Sequence, residues 1–387
     1  MTINTLAPPR ASSTVGRVAR ALRAYPYTAL VLALGLLLRA ILVPLTHGQD
    51  FVVWDLASRY TLAGVDIYAH HPHGYPGGPY TYPPLFLYSE LPFQWLALHT
   101  GAAFTVLGKL VIVAGDVLTA ILLAAMLGRR GLGDRLVALG AALYFLNPLV
   151  LYNGAFYGRF DAFPVALFLL AVRLHNARRR WAFPVAYALA VTAKTYPIFI
   201  LPWLLTRDRT RRGRTIVGLV VVLGGLSLPY LVDNPRAFIR DTIQYNGGKL
   251  PGNLSWQYVL LGPLGPHRVL LLSYALLALF AVSLFLFARL DVLTYCIVAI
   301  LSFLLFSKVV IEQYYLWPMP FLILDAIARR GRASAALFAL LSATGFFVNP
   351  YIHPFGQKPP VITGAVALCI LAYVLTRRPQ SDDLVAT

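Results

Sequence analysis

Apolar runs of roughly 15 to 25 residues, separated by short polar or arginine-rich links, repeat along the chain from Tyr27 to Thr376. A helix needs about 20 apolar residues to cross the hydrocarbon core of a bilayer, so this repeat predicts many membrane spans. The composition agrees, because 58% of the 387 residues are hydrophobic and only 12% are charged. We therefore expect an all-α integral membrane protein, with residues 27–376 forming one polytopic helical bundle.

The formal net charge of +18 is the feature that most suggests a nucleic-acid partner. The arginines, however, cluster between the apolar runs, where the positive-inside rule places them on cytoplasmic links. We therefore expect a membrane lipid environment and no nucleic-acid partner. Cys296 and Cys369 both lie inside apolar runs, so neither a disulfide framework nor a zinc site is expected.

The N-terminal tail, residues 1–26, is basic and shows neither an apolar stretch nor a small-residue cleavage site. We expect this tail and the C-terminal tail, residues 377–387, to be cytoplasmic. A first span at Tyr27–Leu45 then delivers residues 46–101 to the outer face. That segment has four acidic residues and a single basic one, Arg59, as translocated loops do. A second outer loop is expected at residues 232–268.

Two arginine clusters, at residues 178–180 and 207–214, flank a single apolar run at Ala182–Leu205. One crossing there would put the second cluster outside and invert every later span. A re-entrant pair of half-helices keeps both clusters inside. The break falls at residues 194–197, Lys-Thr-Tyr-Pro, because proline disfavours helical geometry in the residue before it. The sequence thus predicts about ten full crossings plus this hairpin.

The first outer segment offers a candidate general base. Asp50 directly follows the first span and is followed by Phe51, Trp54 and Asp55. The segment continues with a rigid turn that starts at Tyr82, in the sequence Tyr-Pro-Pro-Leu. A carboxylate at the rim of a sugar site can take the proton of an acceptor hydroxyl. The alternative is that these acids are ordinary solvated loop residues.

Cations expected toward the outer side are Arg159, Lys194 and Lys308, the last of which precedes Glu312 by four positions. The span at Phe160–Leu174 has only about 15 residues, or about 22 Å at the helical rise. The side chains at its outer end should therefore lie below the membrane surface. Several cations near one carboxylate suit a lipid phosphate leaving group, whose developing charge they stabilise.

Ionisable groups within spans cost roughly 2.5–3.5 kcal/mol or more, so they are usually functional or paired. An internal pair of Arg159 with Asp161 is the structural alternative, whereas Lys194 has no acid nearby in sequence. Asp116 either pairs with Lys109 or belongs to a site. The histidines of residues 70–73 fit a surface loop better than a metal site, because no carboxylate or cysteine partner accompanies them. Gly-Gly pairs at 77–78 and 247–248 are interpreted as turns.

Several short motifs together resemble the GT-C superfamily of glycosyltransferases, most closely glycosyltransferase family 87 with its polyprenyl-phosphate-mannose-type enzymes, and more weakly the GPI mannosyltransferases. The resemblance covers most of the chain in order. The matching pieces are Gly48-Gln49-Asp50-Phe51, Leu62-Ala63-Gly64, Ile67-Tyr68, Tyr82-Pro83-Pro84-Leu85, Gly158-Arg159-Phe160-Asp161, Lys194-Thr195-Tyr196-Pro197 and Gln313-Tyr314-Tyr315 leading to Pro318.

The resemblance implies a GT-C-like bundle in a bacterial inner membrane, with the active site facing outward. It implies inverting transfer of a sugar, mannose above all, from a polyprenyl-phosphate donor to a lipid-linked or glycan acceptor, with Asp50 as base. The donor phosphate would contact Arg159, Lys194, Lys308, Gln313 and Tyr314. Other substrate contacts would come from Asp55, Tyr82, Asp161, Tyr196 and Glu312.

No cofactor is expected beyond the lipid-phosphate donor itself. Some GT-C relatives carry an Asp-x-Asp pair, but Asp50 and Asp55 are five positions apart here, so a metal ion is not expected. The rival function is a transporter or flippase of lipid-linked sugars, which would also use buried cations and a broken helix. The acidic outer segment and the lack of internal repeats favour the enzyme. A non-catalytic scaffold would leave Lys194 and Arg159 without a purpose.

Overall fold

The computed structural model describes residues 23–70, 79–245, 249, 251–347 and 360–378. Most of these residues are helical, as the apolar runs predict. The described ranges contain two short strands, β1 (Gly252–Asn253) and β2 (Val309–Val310), which pair in parallel. The strand pair ties the segment before residue 256 to the loop that contains Lys308. The fold is therefore nearly all-α.

The helices are numbered α1 to α19 in chain order. The first half contains α1 (Pro26–Leu42), α2 (Gln49–Leu62), α3 (Leu85–Thr100), α4 (Phe104–Leu107), α5 (Lys109–Gly128), α6 (Asp134–Phe145), α7 (Pro148–Leu151), α8 (Ala162–Asn176), α9 (Ala182–Ala193) and α10 (Leu201–Thr206). The second half contains α11 (Arg212–Leu219), α12 (Gly225–Asp233), α13 (Pro235–Ile239), α14 (Trp256–Leu261), α15 (Pro266–Leu286), α16 (Val292–Phe306), α17 (Met319–Ala328), α18 (Arg332–Phe347) and α19 (Pro360–Leu375). Short π-helical and 3₁₀ segments connect several of them, at Tyr152–Tyr157, Tyr196–Ile200, Val220–Gly224, Arg240–Gln244, Gly262–Leu264, Phe287–Arg289 and Glu312–Leu316.

Three continuous helical stretches among the described residues are long and apolar enough to cross a membrane: Phe104–Gly128, Arg212–Asp233 and Pro266–Arg289. A fourth span results if α6 and the helix at Pro148–Phe156, which meet at a 45° bend, count as one. The remaining apolar helices are shorter. The chain is thus an integral membrane protein, while the count of ten crossings stays a prediction.

The helix ends that carry arginine meet on one side of the bundle, which we call the arginine end. Thr28 of α1 donates to Asp134 at 2.7 Å, and Arg329 after α17 pairs with Asp291 before α16 at 2.8 Å. A small cavity joins the same side of α5, α8, α16 and α17. The turns that form this end are residues 128–134, 176–181, 207–212, 287–291 and 329–332.

The break predicted at residues 194–197 is present. Helix α9 ends at Ala193, and Lys194 is extended, with φ −158° and ψ 139°. The chain then returns to the arginine end, because His175 contacts Asp208 at 2.9 Å and Arg211 donates to the His175 carbonyl at 3.1 Å. The two arginine clusters therefore lie at the same end, as the hairpin requires. Its depth in a membrane stays a prediction.

The segment expected at the outer face is largely helical in its described residues, 46–70 and 79–101, and its side of the membrane stays a prediction. Its two helices, α2 and α3, pack around an aromatic cluster centred on Trp54. The Trp54 ring lies 5.2 Å from Phe160, 5.6 Å from Phe86 and 5.8 Å from Tyr80, measured between centroids. Edge-to-face contacts of this kind are specific in geometry and exclude water. The cluster fixes the start of α2, and hence Asp50, against the main bundle.

The suggested pair of Asp116 with Lys109 is wrong. Asp116 instead pairs with Arg39 of α1 at 2.9 Å, and both side chains are fully buried. Seven positions along a helix separate Lys109 from Asp116, or about 10 Å, which is too far for direct contact. The Lys109 ammonium donates to backbone carbonyls, among them those of Val43 at 2.9 Å and Phe156 at 2.8 Å.

Candidate functional site

A cluster of buried and half-buried charges occupies the side of the bundle opposite the arginine end, which we call the site end. The chain reaches it from four separate places: the start of α2, the turn before α8, the break after α9, and the 3₁₀ turn before α17. The charged side chains that meet there are Asp50, Arg159, Asp161, Lys194 and Glu312. All five were predicted from the sequence as site residues.

Asp50 occupies the first turn of α2, where a negative side chain is favourable to the helix dipole. The N–H of Gly48, two residues earlier, donates to the Tyr157 carbonyl at 2.7 Å. A Cβ at Gly48 would collide with the Tyr157 ring, so only glycine fits this close approach. Helix α2 therefore starts at a fixed place beside Arg159.

The Arg159 guanidinium is 5% exposed and lies between two carboxylates. Its Nε donates to Asp50 Oδ2 at 3.3 Å, and its Nη1 donates to Glu312 Oε1 and to Asn153 Oδ1. The Glu312 side chain is 3% exposed, whereas that of Asp50 is 42% exposed. Glu312 thus anchors the arginine from the buried side, and Asp50 remains accessible on the other.

Lys194 is held by Asp161 in a second buried pair. Its Nζ donates to Asp161 Oδ1 at 2.7 Å, and Trp317 Nε1 donates to the same oxygen at 2.6 Å. The ammonium also lies over the rings of Phe160 at 4.8 Å and Tyr82 at 5.2 Å. Such contacts between a cation and aromatic faces stabilise a charge away from water. The broken helix thus places Lys194 in an aromatic enclosure.

A cavity of about 300 Å³ opens beside this enclosure. Lys194 and Lys308 lie on its wall with the side chains of Tyr82, Tyr196, Tyr314 and Trp317. Helices α15 and α16 add apolar lining with Leu277, Phe303 and Phe306, and Phe303 stacks on Trp317 at 5.7 Å between centroids. The cavity is therefore amphipathic, because two cations share its lining with aromatic and aliphatic side chains.

Asp50 is electrostatically linked to this cavity although it does not line it. Burial raises the pKa of Tyr82 well above its usual value, and the negative charge of Asp50 adds to that effect. The Tyr82 hydroxyl therefore keeps its proton and can donate a hydrogen bond, but it cannot act as a base at neutral pH. Burial also lowers the pKa of Lys308.

Three other predicted site residues, Asp55, Gln313 and Tyr196, do not take part in the charge cluster. Asp55 forms an ion pair with Arg59 at 2.7 Å on the surface of α2. Gln313 is buried, and its Oε1 has no hydrogen-bond partner among the described residues. The structure does not place it on the cavity wall. Tyr196 does reach the wall and stacks on Trp317 at 4.1 Å between centroids.

The ion pair of Arg159 with Asp161, which the sequence offered as an alternative to a functional role, is wrong. The two residues flank Phe160, which packs against Trp54, and their side chains join different pairs. Glu312 lies four positions after Lys308, but the intervening residues form β2 and not a helix, so the two side chains are not on one helical face. Lys308 lies 5.0 Å from the Tyr274 ring centroid instead.

Three contributors were missed in the sequence analysis: Trp317, Phe160 and Asn153. Trp317 follows the Gln-Tyr-Tyr motif and precedes Pro318, so the aromatic density of that stretch was the available signal. Phe160 directly follows Arg159, and Asn153 lies in the preceding π-helical segment, where it accepts from Arg159. The role of Phe160 depends on Lys194, which is distant in sequence, so no local pattern reveals it.

No group of three or more histidine, cysteine, aspartate or glutamate side chains is placed to hold a metal ion within the described ranges. Residues 71–73 of the histidine cluster and both Gly-Gly pairs lie outside those ranges. Cys296 is buried in α16 and Cys369 is exposed on α19, both as free thiols.

The sequence pattern of glycosyltransferase family 87 matches residues 80–307 of the chain. The match includes Tyr82, Arg159, Asp161 and Lys194, and it ends just before Lys308. A transporter function receives no support from it. Because the match covers more than half of the chain and agrees with the GT-C motifs, the chain belongs to glycosyltransferase family 87 and is a glycosyltransferase.

Proposed function

We propose that this glycosyltransferase moves a sugar, mannose above all, from a polyprenyl-phosphate donor to a lipid-linked or glycan acceptor, with inversion at the anomeric carbon. The amphipathic cavity is the observation that supports this most. Lys194 and Lys308 can neutralise a phosphate, and the wall of Leu277, Phe303 and Phe306 suits the adjoining isoprenoid chain. A soluble nucleotide-sugar donor would have no use for such a wall.

In the proposed step, the acceptor hydroxyl oxygen attacks the anomeric carbon. The bond from that carbon to the phosphate oxygen breaks, and polyprenyl phosphate leaves with the bonding electrons. Asp50 takes the hydroxyl proton, because it is the half-exposed carboxylate at the rim, and Arg159 holds its orientation at 3.3 Å. Lys194 and Lys308 stabilise the charge of the departing phosphate. No cofactor or metal ion takes part in this proposal.

The other residues take supporting roles. Tyr82 and Tyr314 offer hydroxyl groups to the substrate from the cavity wall, and Tyr196 shapes that wall through Trp317. Asp161 and Glu312 position Lys194 and Arg159 through the buried pairs. Phosphate contacts by Arg159 and Gln313, and substrate contacts by Asp161 and Glu312, stay predictions. Asp55 pairs with Arg59 on the surface of α2, so the proposal gives it no substrate contact.

The orientation of the enzyme follows from its two ends. Arginine-rich links face the cytoplasm by the positive-inside rule, so the site end faces the outer side of a bacterial inner membrane, with both termini cytoplasmic. A lipid-linked sugar presented at that side would enter the cavity from the bilayer, between α15 and the turn at residues 240–244.

The test uses the purified full chain with total bacterial lipid as acceptor. Polyprenyl-phosphate mannose, labelled in the sugar, should yield a labelled product with a new glycosidic bond of inverted configuration. GDP-mannose serves as the nucleotide-sugar arm and should yield none, and EDTA should not slow the reaction. Transfer from GDP-mannose alone would overturn the lipid-donor proposal, and transfer from polyprenyl-phosphate glucose alone would change the sugar.

A further inference from the structure

Four arginine side chains converge on a second cavity at the arginine end. Arg129 lies in the turn after α5, Arg173 in the last turn of α8, and Arg178 and Arg179 in the turn that follows. Arg178 adopts a φ of +53°, and the Arg179 N–H donates to the Leu174 carbonyl at 3.0 Å, which closes the helix tightly. The cavity that these arginines line has a volume of about 570 Å³.

These four arginines differ from their neighbours at the same end. Arg329 pairs with Asp291, and Arg211 pairs with Asp208. Among the described residues, no ion pair includes any of the four that line the cavity. Arg129 lies close enough to the half-buried Arg173 for their charges to repel. Such a group of cations is stabilised when an anion enters the cavity.

An apolar groove of about 530 Å³ adjoins this basic cavity, and Arg129 lines both. The groove runs between α1, α5 and α6, with Leu32, Ile121, Ala125 and Val137 on its walls. Its lining is almost entirely apolar away from Arg129. The two spaces together thus match a molecule with a charged head and a hydrocarbon tail.

We propose that this composite site binds an anionic phospholipid of the cytoplasmic leaflet. The phosphate lies among the four arginines, and one acyl chain fills the groove beside α5. The positive-inside rule explains why arginines lie on this side of the membrane. The rule does not explain why arginines from two separate turns line one cavity beside an apolar groove. Recognition of an anionic lipid requires this arrangement.

The experiment is native mass spectrometry of the purified full chain in a neutral detergent, titrated with dioleoyl-phosphatidylglycerol. The parent should show a saturable bound lipid. The variant Arg129→Gln with Arg173→Gln should bind it roughly 10- to 30-fold more weakly, because each basic residue contributes about 1 kcal/mol to an anionic lipid contact. Ala125→Phe fills the groove and should weaken binding of the lipid as well.

The matched control is Arg209→Gln with Arg212→Gln, which removes two exposed arginines from the same end and should leave binding within about twofold of the parent. Equal losses in the control and in the site variant would overturn the proposal, since general electrostatics would then suffice. If the site variant does not fold, Arg178→Gln with Arg179→Gln tests the same cavity from its exposed turn.

Two further arms distinguish the sources of the anion. Dioleoyl-phosphatidylcholine has the same tails and no net charge, and it should bind at least tenfold more weakly than phosphatidylglycerol. Inorganic phosphate should not displace bound phosphatidylglycerol at millimolar concentration. Displacement by phosphate would show that the site takes a soluble anion, and equal binding of the two lipids would show that the arginines have no part. Either result would reject the proposal.

Discussion

The charge cluster at the site end and the basic cavity at the arginine end hold their cations in opposite ways. At the site end, Arg159 and Lys194 are about 5% exposed, and each donates to a carboxylate from a distant part of the chain. At the arginine end, Arg129, Arg178 and Arg179 are exposed and line an open cavity. Desolvating a charge costs several kcal/mol, so buried and paired cations have fixed positions, whereas exposed cations without an ion-pair partner among the described residues can receive an anion.

This comparison predicts unequal consequences of the same kind of substitution. Removing one member of a buried pair leaves its partner charged and without compensation, whereas removing an exposed arginine leaves water in its place. The effects of substitutions in the proposed catalytic site are ordered below from the largest to the smallest, and a test that depends on pH follows them.

Asp50→Asn should produce the largest loss of activity. The amide keeps the size of the side chain but cannot accept the hydroxyl proton, so turnover should fall about 10²–10⁴-fold with folding and donor affinity retained. The measurement is formation of the glycosidic bond by the purified protein. Asp55→Asn is the matched control on the same helix and should cost little. If turnover is lost in Asp55→Asn and stays near the parental value in Asp50→Asn, Asp55 is the base.

Lys194→Met should produce the largest loss of stability, because it leaves Asp161 buried without a cation. The free energy of unfolding should fall by about 3–5 kcal/mol. Arg59→Met is the control: it removes the exposed partner of Asp55 and should cost about 0–1 kcal/mol. Unfolding in detergent, followed by circular dichroism, measures both.

The double variant of Lys194→Met with Asp161→Leu sharpens the same test. It removes both buried charges, so it should be more stable than Lys194→Met alone, although it should not bind the donor. If the single and double variants are equally stable, Asp161 is not the charge that depends on Lys194. Intact donor binding in either variant would remove Lys194 from the proposed phosphate site.

Lys308→Gln should weaken donor binding and hardly change the stability of the fold. Lys308 is half-buried on the cavity wall, and a hydrogen bond to a charged group contributes about 1.5–3 kcal/mol. The KM for polyprenyl-phosphate mannose should therefore rise about tenfold or more, with the thermal midpoint near that of the parent. Arg212→Gln at the other end removes the same charge and should leave KM unchanged. An unchanged KM in Lys308→Gln would mean that Lys308 does not contact the donor phosphate and that Lys194 alone of the two lysines does.

The sequence predicted the helical class and the break at Lys194, because both depend on local composition or spacing. The Arg159 side chain is buried within the protein, and its depth below the membrane surface stays a prediction. The α2 and α3 helices were missed because topological reasoning treats a polar stretch between spans as a loop. Their stability depends on the aromatic cluster around Trp54, which forms only in the fold.

Pairing inside the site could not be predicted from the sequence. Arg159 and Glu312 are 153 positions apart, and Arg159 and Asp50 are 109 positions apart, so no helical or strand periodicity relates them. The family match, at residues 80–307, also omits Asp50 and Glu312. Asp50 was predicted from its place after the first span and from a short motif, and Glu312 from its place four positions after Lys308. Only the three-dimensional arrangement shows that these two carboxylates share one arginine.

Glu90 tests the comparison through pH, because it is a buried acid near the site end that no cation pairs with among the described residues. Its side chain lies under α2 in the segment outside the expected spans, and neither oxygen has a hydrogen-bond partner among the described residues. Burial raises the pKa of Glu90 well above its usual value. The folded protein therefore keeps this proton at pH values where the unfolded chain, with a pKa of about 4.3, has lost it.

Because the folded state binds more protons, the contribution of Glu90 to stability falls as pH rises above about 4.3, by at most about 1.4 kcal/mol for each pH unit. Glu90→Gln removes this titration while keeping the shape, so its thermal midpoint relative to the parent should increase between pH 5 and pH 8. Asp55→Asn, which replaces a half-exposed acid of α2, should show a smaller relative change over the same range. A parallel pH dependence in Glu90→Gln and the parent would mean that Glu90 is ionised in the folded protein, and a cation outside the described residues would then have to compensate it.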